Sequence, residues 1–311
     1  MPKIKIALLS GGRGGEREVS LKTGEQIYKA LNKNKYQIFR YDPRDDLKKF
    51  FLDCANKKFD LIFPALHGPF GEDGKLQGLL DILGIPYLFS GCLASALAMN
   101  KYKTKIVAEK NGVLVAKDFI LRKKEKIDLN KIIKKLSFPI VVKPVELGSS
   151  VGMTIAKTKR ELEEGIKKAL KYDREVICEQ FIKGRELTVP IMGNNPPKAL
   201  PVIEIIPKIS GWFDYKAKYE VGGSEEVCPA KIPANIKKEA QSEAIAAYQA
   251  IGCKDLARAD FIWQEGSNKL YFLEINTIPG MTATSLVPRS AKAAGLEFSD
   301  FLNKLIADAK K

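Results

Sequence analysis

The stretch from Arg258 to Ser285 constrains the fold of this chain more than any other. It reads RADFIWQEGSNKLYFLEINTIPGMTATS, in which β-branched and aromatic runs flank the turn formers Gly266, Ser267 and Asn268. This pattern predicts two antiparallel strands joined by a tight turn. The segment is therefore expected to form a β-hairpin whose register decides which side chains share a face.

A hairpin centred on Ser267 brings the polar side chains of the two strands together. The predicted cross-strand pairs are Arg258 with Asn276, Asp260 with Glu274, Phe261 with Leu273 and Ile262 with Phe272. Because side chains alternate between faces, one face would carry four polar groups, those of Arg258, Asp260, Glu274 and Asn276. The opposite face would carry Phe261, Trp263, Tyr271, Leu273 and Ile275.

The polar face of this hairpin has the composition of a metal site. Two carboxylates and an amide oxygen suit Mg²⁺ that is shared with phosphate groups. The spacing is equally compatible with a solvated polar face over an apolar one. After Thr277, a Pro-Gly turn leads to the hydroxyl residues Thr282, Thr284 and Ser285, which favours a loop that a ligand can approach.

Composition limits the class of protein. The 311 residues are 45% hydrophobic and 29% charged, which allows two or three globular domains. No apolar run of about eighteen residues predicts a membrane span, and the first strand lacks the pattern of a signal peptide. Five dispersed cysteines without metal or redox spacing favour a reducing, cytoplasmic location.

The formal charge of +15 raises nucleic-acid binding as an alternative function. The lysines lie in pairs along predicted helix surfaces and form no basic tail or patch interleaved with aromatic residues. We therefore interpret the charge as surface composition and predict no nucleic-acid partner. A nucleic-acid binder would instead show salt-sensitive association with oligonucleotides.

The first hundred residues alternate between strands and helices, which predicts a small parallel sheet with ligands at the strand ends. Residues 3–9 are expected to form a strand that leads into a glycine turn, and Glu16 lies in this turn. A helix begins after the turn, and its N-terminus would favour an anion. The glycines do not match a dinucleotide-binding fingerprint. Glu16 could equally be an acid that favours the helix start. A second strand ends at His67, the only histidine, for which a structural role stays open. Residues 86–91 are expected to form a third strand, and residues 95–112 one helix.

The middle of the chain carries a candidate phosphate site. Lys143 lies in a predicted buried strand, where an ammonium is costly unless an anion meets it. The glycine-flanked loop 148–152 follows, and its amides could cover phosphates, although it is not a Walker A motif. An ordinary hairpin loop is the alternative. The irregular stretch 207–228 is long enough to be functional, with Lys218 and Tyr219 as candidates.

Together these motifs resemble the D-alanine–D-alanine ligases of the ATP-grasp superfamily, over essentially the whole chain. The resemblance rests on GGRGGEREVSL, ALHGPFGEDGKLQG, MNK, VVKPVELGSSVGM, KAKY, GCKDLARAD and LEINTIPGMTATSLVP. It implies an α/β, three-domain ATP-grasp architecture with an N-terminal Rossmann-like parallel-sheet domain. We expect domains at residues 1–98, 99–181 and 182–311.

The resemblance also implies roles for individual residues. Lys101, Lys143, Gly148, Ser150, Glu179, Glu186 and Lys218 would bind ATP, with Glu179 near the adenine and Glu186 near the ribose. Asp260, Glu274 and Asn276 would hold two Mg²⁺ ions, for which Mn²⁺ can substitute, and Arg258 would stabilise the transferred phosphate. Glu16, Ser149 and Tyr219 would form a hydrogen-bonded set over the substrate. Glu16, His67, Gly280 and Ser285 would bind two D-alanine molecules.

The implied activity is ATP-dependent formation of D-alanyl-D-alanine through an acyl phosphate for peptidoglycan synthesis, by a homodimer without membrane partners. Two alternatives stay open: a D-alanine–D-lactate ligase, and an ATP-grasp ligase for another carboxylate and amine. Tyr219 argues against the first, because ester-forming relatives often carry Phe there or a rebuilt loop. Phe213 departs from the family pattern, in which many members carry tyrosine, and the basic surface is also unusual.

Tyr219 generates a prediction about acceptor choice. Tyr219→Phe removes one hydroxyl near the incoming nucleophile but keeps the area of the ring, so dipeptide synthesis should be retained. With one polar partner fewer, the site should discriminate less between amine and hydroxyl acceptors. Product analysis with D-alanine and D-lactate between about pH 6 and 9 should reveal ester product, mostly at low pH. No ester at any pH would mean that Tyr219 does not control acceptor choice.

Overall fold

The computed structural model describes residues 2–208 and 222–309, so Phe213, Lys218 and Tyr219 lie outside the described residues. Three sheets organise this part of the chain. In none of the described segments is a helix long and apolar enough to cross a membrane. All five cysteines are free.

The first sheet is parallel, as predicted, with its strands in the order β2-β1-β3. Its strands are β1 (Ile4–Leu9), β2 (Tyr36–Tyr41) and β3 (Leu61–Pro64), and helices α1 (Arg17–Ala30), α2 (Leu47–Ala55) and α3 (Lys75–Leu83) connect or follow them. The strand expected at residues 86–91 is reduced to one bridge between Ile62 and Tyr87. The left-handed backbone of Phe89 ends the extended run there.

The single helix expected at residues 95–112 is wrong, because two helices occupy this region. They are α4 (Cys92–Met99) and α5 (Lys101–Lys110). Asn100 between them is extended, with φ −88° and ψ 94°, and its side chain accepts a hydrogen bond from the Lys103 amide at 3.0 Å. Asn100 is thus the N-cap of α5, a role that asparagine favours. Because the helix breaks at Asn100, the Lys101 amide donates a hydrogen bond to the carbonyl of Val145 at 3.2 Å.

The second sheet is antiparallel, in the order β4-β7-β5-β6. It comprises β4 (Asp118–Arg122), β5 (Ile140–Pro144), β6 (Thr154–Ala156) and β7 (Glu175–Gln180), with helices α6 (Leu129–Leu136) and α7 (Lys159–Ala169) on one face. Thr158 caps α7 by accepting a hydrogen bond from the Glu161 amide at 3.2 Å.

The third sheet has the order β11-β10-β8-β12-β13, with β9 paired to β8. Its strands are β8 (Arg185–Met192), β9 (Lys198–Ala199), β10 (Ile203–Pro207), β11 (Ser224–Val227), β12 (Leu256–Gln264) and β13 (Lys269–Asn276). Helix α8 (Ala234–Ile251) packs on it. Strands β9 and β10 are separate, because Pro201 between them has no amide N–H for a ladder.

The register of the β12–β13 hairpin is right at its polar end and wrong beyond it. Arg258 pairs with Asn276 and Asp260 pairs with Glu274, as predicted. A bulge then shifts the register. Phe261 therefore pairs with Phe272 and Ile262 with Tyr271.

The bulge also changes which side chains fill the core. Phe261, Trp263 and Ile275 are buried as predicted, together with Leu270 and Phe272, whereas Tyr271 and Leu273 are only partly buried. Leu273 lines the cleft instead of the core.

The end of the chain returns to the first sheet. Helices α9 (Leu286–Ala293) and α10 (Phe298–Ala309) share a hydrophobic core with β1, in which Phe301 and Leu305 are fully buried with Ile6 and Leu8. The first and third sheets therefore share a core through the C-terminal helices. The domain boundaries at residues 98 and 181 stay a prediction.

Gly24 of α1 gives a test of this packing. A Cβ added there would lie 2.4 Å from Cβ of the buried Ser10. Helix propensity alone would make Gly24→Ala stabilising by about 1 kcal/mol. Overpacking of roughly 1–3 kcal/mol should outweigh it, so we expect net destabilisation in urea unfolding. Gly266→Ala, where nothing lies within 4 Å, should be neutral. A Gly24→Ala protein as stable as the wild type would contradict the close contact.

Candidate active site

One cleft brings together site residues that the sequence predicted from separate stretches. It has a volume of about 520 Å³ and is lined from all three sheets. The predicted residues that line it are Glu16, His67, Lys101, Lys143, Gly148, Ser149, Ser150, Glu179, Glu186, Arg258, Asp260, Glu274, Asn276, Gly280 and Ser285. Lys218 and Tyr219 lie outside the described residues.

The loop at residues 148–152 folds against the first glycine turn. The Ser149 hydroxyl donates a short hydrogen bond to Oε1 of Glu16. Ser149 and Ser150 both have positive φ, at 54° and 57°, so the loop turns sharply where it meets the cleft. This contact links the predicted phosphate loop to the predicted substrate residue.

His67 follows β3 and lies 3.2 Å from the Thr23 hydroxyl through its Nε2 atom. Desolvation lowers the pKa of His67 below its usual value, although the nearby Glu16 carboxylate opposes this effect. The ring is therefore held towards its neutral form in the wall of the cleft.

Glu72 is a cleft residue that the sequence did not predict. It precedes α3, which begins three residues later, and its Oε2 atom accepts the Gly68 amide at 2.6 Å. Its Oε1 atom is buried without a hydrogen-bond partner among the described residues. Burial raises the pKa of Glu72 well above its usual value, and the Glu16 carboxylate adds to the effect. The only sequence signal was the proximity of Glu72 to His67.

Lys143 lies in β5, where a buried ammonium needs an anion beside it. The Glu179 carboxylate is that anion. The Lys143 ammonium lies 2.6 Å from Oε2 of Glu179, and Oε1 of the same carboxylate lies 2.7 Å from Lys105. Burial raises the pKa of Glu179, but the two lysines outweigh it and lower the pKa to about 2. Lys105 was not predicted as a site residue.

Lys101 lies at the start of α5, where the helix break directs it to the cleft. Its ammonium donates to the carbonyl of Leu147 at 2.7 Å and lies 3.6 Å from Oε2 of Glu274. The same break lets Asn100 donate to Oε1 of Glu146 at 2.8 Å. The start of α5 is thus joined to the segment that leads into the 148–152 loop.

Arg258 and Asp260 form a two-point ion pair on the polar face of β12. The Nε atom of Arg258 lies 2.9 Å from Oδ1 of Asp260, and NH2 lies 2.8 Å from Oδ2. Desolvation opposes the charge of Arg258, but Asp260 outweighs it and raises the Arg258 pKa. The buried Thr188 hydroxyl also donates to Oδ1 of Asp260. Oδ1 thus accepts two of these hydrogen bonds and Oδ2 one, which leaves a lone pair of Oδ2 available.

The predicted metal ligands fit a hard divalent cation. Asp260 keeps acceptor capacity, Glu274 is partly exposed to the cleft, and Oδ1 of Asn276 accepts only the Ile278 amide, at 3.0 Å, among the hydrogen bonds seen. Across residues 2–208 and 222–309, no three His, Cys, Asp or Glu side chains form a metal-binding group. The set is therefore two carboxylates with one amide, and its oxygen chemistry suits Mg²⁺.

The loop after the hairpin is held by its own hydroxyl groups. Oγ of Ser285 accepts the Thr282 amide at 2.9 Å and lies 2.8 Å from the Thr282 hydroxyl. A Cβ at Gly280 would lie 3.0 Å from the same oxygen, so glycine permits the close turn. Ser285 precedes α9, whose amide end favours a negatively charged group.

Comparison with known proteins identifies the family. Residues 107–307 match the family model described as D-ala D-ala ligase C-terminus, and residues 41–92 match D-ala D-ala ligase N-terminus. The chain belongs to the D-alanine–D-alanine ligase family. A D-alanine–D-alanine ligase of Syntrophobacter fumaroxidans is 46% identical to it, covering 98% of this chain and 97% of that protein.

Solved structures of this ATP-grasp family share the whole fold. A D-alanine–D-alanine ligase from Bacillus anthracis complexed with ATP has a TM-score of 0.86 and 33% identity, covering 98% of this chain and 97% of the other. The VanG D-Ala:D-Ser ligase from Enterococcus faecalis has a TM-score of 0.86 and 32% identity, covering 99% and 100%. The D-alanine–D-alanine ligase resemblance and the α/β ATP-grasp fold are thereby confirmed.

Glu72 generates a prediction about stability and pH. Its pKa in the folded protein is raised, so its contribution to stability is present below the unfolded value and is lost as pH rises through the folded value. Glu72→Gln should therefore be more stable than the wild type at about pH 8 and lose this advantage towards pH 4. The measurement is urea unfolding of the ligand-free proteins. Glu109→Gln, on the exposed side of α5, should change stability equally at both pH values; the same result for Glu72→Gln would refute the shift.

Proposed function

We propose that this protein joins two D-alanine molecules to D-alanyl-D-alanine at the expense of ATP, for peptidoglycan precursor synthesis. The observation that carries the proposal is the convergence of two groups in one cleft. The polar face of β12–β13 and the Glu16–Ser149 contact both line it. A phosphate-handling face and an ammonium-binding carboxylate are what an ATP-driven ligation of amino acids requires.

The nucleotide would lie between the second and third sheets. Lys101 and Lys143 would bind its phosphates under the loop that carries Gly148 and Ser150. Glu179 would lie by the adenine and Glu186 by the ribose, and Lys218 would complete the site.

Asp260, Glu274 and Asn276 would hold two Mg²⁺ ions, for which Mn²⁺ can substitute. The metal supplies charge neutralisation at the transferred phosphate. Arg258 is fixed by both of its hydrogen bonds to Asp260, so its guanidinium would stabilise phosphate charge without reorganisation.

The reaction has two steps. A carboxylate oxygen of the first D-alanine takes the terminal phosphate of ATP, the bond to ADP breaks, and an acyl phosphate forms. The amine nitrogen of the second D-alanine then attacks the acyl carbon, loses a proton and displaces phosphate. Positioning and charge neutralisation carry most of such a transfer.

The residues around the two substrates would position each D-alanine and exclude water from the reacting atoms. Glu16 would bind the ammonium of the first D-alanine, with His67 beside it. Gly280 and Ser285 would receive the carboxylate of the second. The hydrogen bond from Ser149 to Glu16 would hold the 148–152 loop closed over this site. The closed loop would keep water from the acyl phosphate. Tyr219 would be the third member of this hydrogen-bonded set.

One observation favours a second acceptor. A D-Ala:D-Ser ligase shares the fold at 32% identity, so D-serine is the alternative to D-alanine as the second substrate. The 46% identity to a D-alanine–D-alanine ligase favours D-alanine. We further propose a homodimer, and a cytoplasmic location that the free cysteines favour.

A coupled assay of ADP release tests the function. We expect ADP release with D-alanine and little with L-alanine, and D-alanyl-D-alanine as the product by mass spectrometry. D-serine and D-lactate are offered with D-alanine as competing acceptors. Preferential formation of a mixed product would replace the proposed acceptor, and no ADP release with any of them would overturn the ligase assignment.

Glu274 tests the proposed metal ligands. Glu274→Gln removes a charge that faces the cleft and leaves the packing of β13 unchanged, so the fold should be retained. Turnover should fall by roughly a hundredfold or more, since a metal contributes several kcal/mol to phosphate transfer. Circular dichroism and the ADP assay across a Mg²⁺ titration measure the two effects. Glu265→Gln, at the exposed turn of the same hairpin, is the control. Near-normal activity of Glu274→Gln at low Mg²⁺ would show that Glu274 is not a ligand.

A further inference from the structure

Lys105 is a buried cation to which the proposed reaction gives no role. Its side chain is 1% exposed, on the inner side of α5. The ammonium lies 2.9 Å from the carbonyl of Ala116, 2.7 Å from Oε1 of Glu179 and 2.8 Å from Oδ2 of Asp118. Its three N–H donors thus match three acceptors. Lysine is almost never fully buried unless it is paired in this way.

Glu179 lies between two lysines of different exposure. Its Oε1 atom faces Lys105, and its Oε2 atom faces Lys143, which lines the cleft with a side chain that is 13% exposed. The strand register fixes this arrangement, because Glu179 on β7 pairs with Asp118 on one side and with Val141 on the other. Lys105 therefore contacts one oxygen of the Glu179 carboxylate from the protein interior, and Lys143 contacts the other oxygen from the side of the cleft.

The charges of this cluster balance. Lys105 and Lys143 are positive, and Asp118 and Glu179 are negative. If the Lys143 ammonium bound a nucleotide phosphate, Glu179 would keep Lys105 as its counter-ion. Without Lys105, the same movement would leave a buried carboxylate uncompensated, which is costly.

We infer that Lys105 is a positioning residue of the nucleotide site, which holds and neutralises Glu179 so that the Lys143 ammonium can leave Glu179 for a nucleotide phosphate. The inference rests on the proposed function and deepens it, because it concerns the binding of the nucleotide. Lys105 acts through Glu179 and contacts no substrate itself.

Lys105→Met is the first test, because it removes the charge and keeps most of the apolar stem. The affinity for ADP, measured by isothermal titration calorimetry without turnover, should fall about tenfold to a hundredfold, the scale of a lost hydrogen bond to a charged group. The KM for D-alanine should stay within about threefold of the wild type, because Glu16 and His67 are untouched. Unchanged ADP affinity would overturn the inference.

Asp118→Asn is the matched control. It removes the other carboxylate partner of Lys105 and leaves the contact between Lys105 and Glu179 in place. The affinity for ADP should therefore stay within about threefold of the wild type. Equal losses of ADP affinity in Lys105→Met and Asp118→Asn would indicate a general structural role and would overturn the inference.

A double-mutant cycle with Glu179→Gln tests whether Lys105 acts through Glu179. In the Glu179→Gln protein, adding Lys105→Met should change ADP affinity by much less than it does in the wild type. The same factor in both backgrounds would refute action through Glu179. If Lys105→Met does not fold, Lys105→Gln enters the same cycle with the same two outcomes. A wild type that binds no ADP would instead defeat the proposed function, so the two failures are distinguishable.

Discussion

Compensation of buried charge is the constraint on which the cleft depends. Arg258 is held by both oxygens of Asp260, and Glu179 lies between Lys105 and Lys143. An isolated charge at such depth would be expensive, and a paired one is tolerated only with good geometry. The Glu179 pairs therefore fix α5 and β5 relative to β7, whereas the Arg258–Asp260 pair fixes two side chains of one strand, β12. The Arg258 guanidinium is thus held in place before any substrate enters, which is the condition for electrostatic catalysis without reorganisation.

The predictable part of the site is the part in which polar residues repeat at a fixed period. Asp260 and Glu274 were placed together because alternation along two strands leaves one solution when a turn is fixed. The same argument failed for the four pairs between the bulge and the turn, where both strands are mostly apolar. Nothing in an apolar run distinguishes Leu273 as an extra residue, so the bulge that sends it to the cleft could not be read from the sequence.

Glu72 and Lys105 escaped prediction for different physical reasons. Glu72 stands among acids before a helix, where a carboxylate has an ordinary local role. Lys105 looks like one more surface lysine in a chain of +15 net charge, because burial depends on tertiary packing that local sequence does not encode. The helix break at Asn100 could have been predicted more easily, since asparagine followed by a helical pattern is a capping signal. The helix-forming residues on both sides of Asn100 instead favoured the prediction of one continuous helix.

Helix α5 shows how these features combine. Lys101 and Lys105 are four residues apart, so they lie on the same face of the helix, one turn from each other. Lys101 contacts Leu147 and approaches Glu274 of the third sheet, whereas Lys105 contacts Glu179 of the second. One helix face thus provides a cation to the second sheet and a cation to the third sheet, both of which line the cleft. This is possible only because α4 ends before Asn100, which lets α5 take its own direction from its first residue.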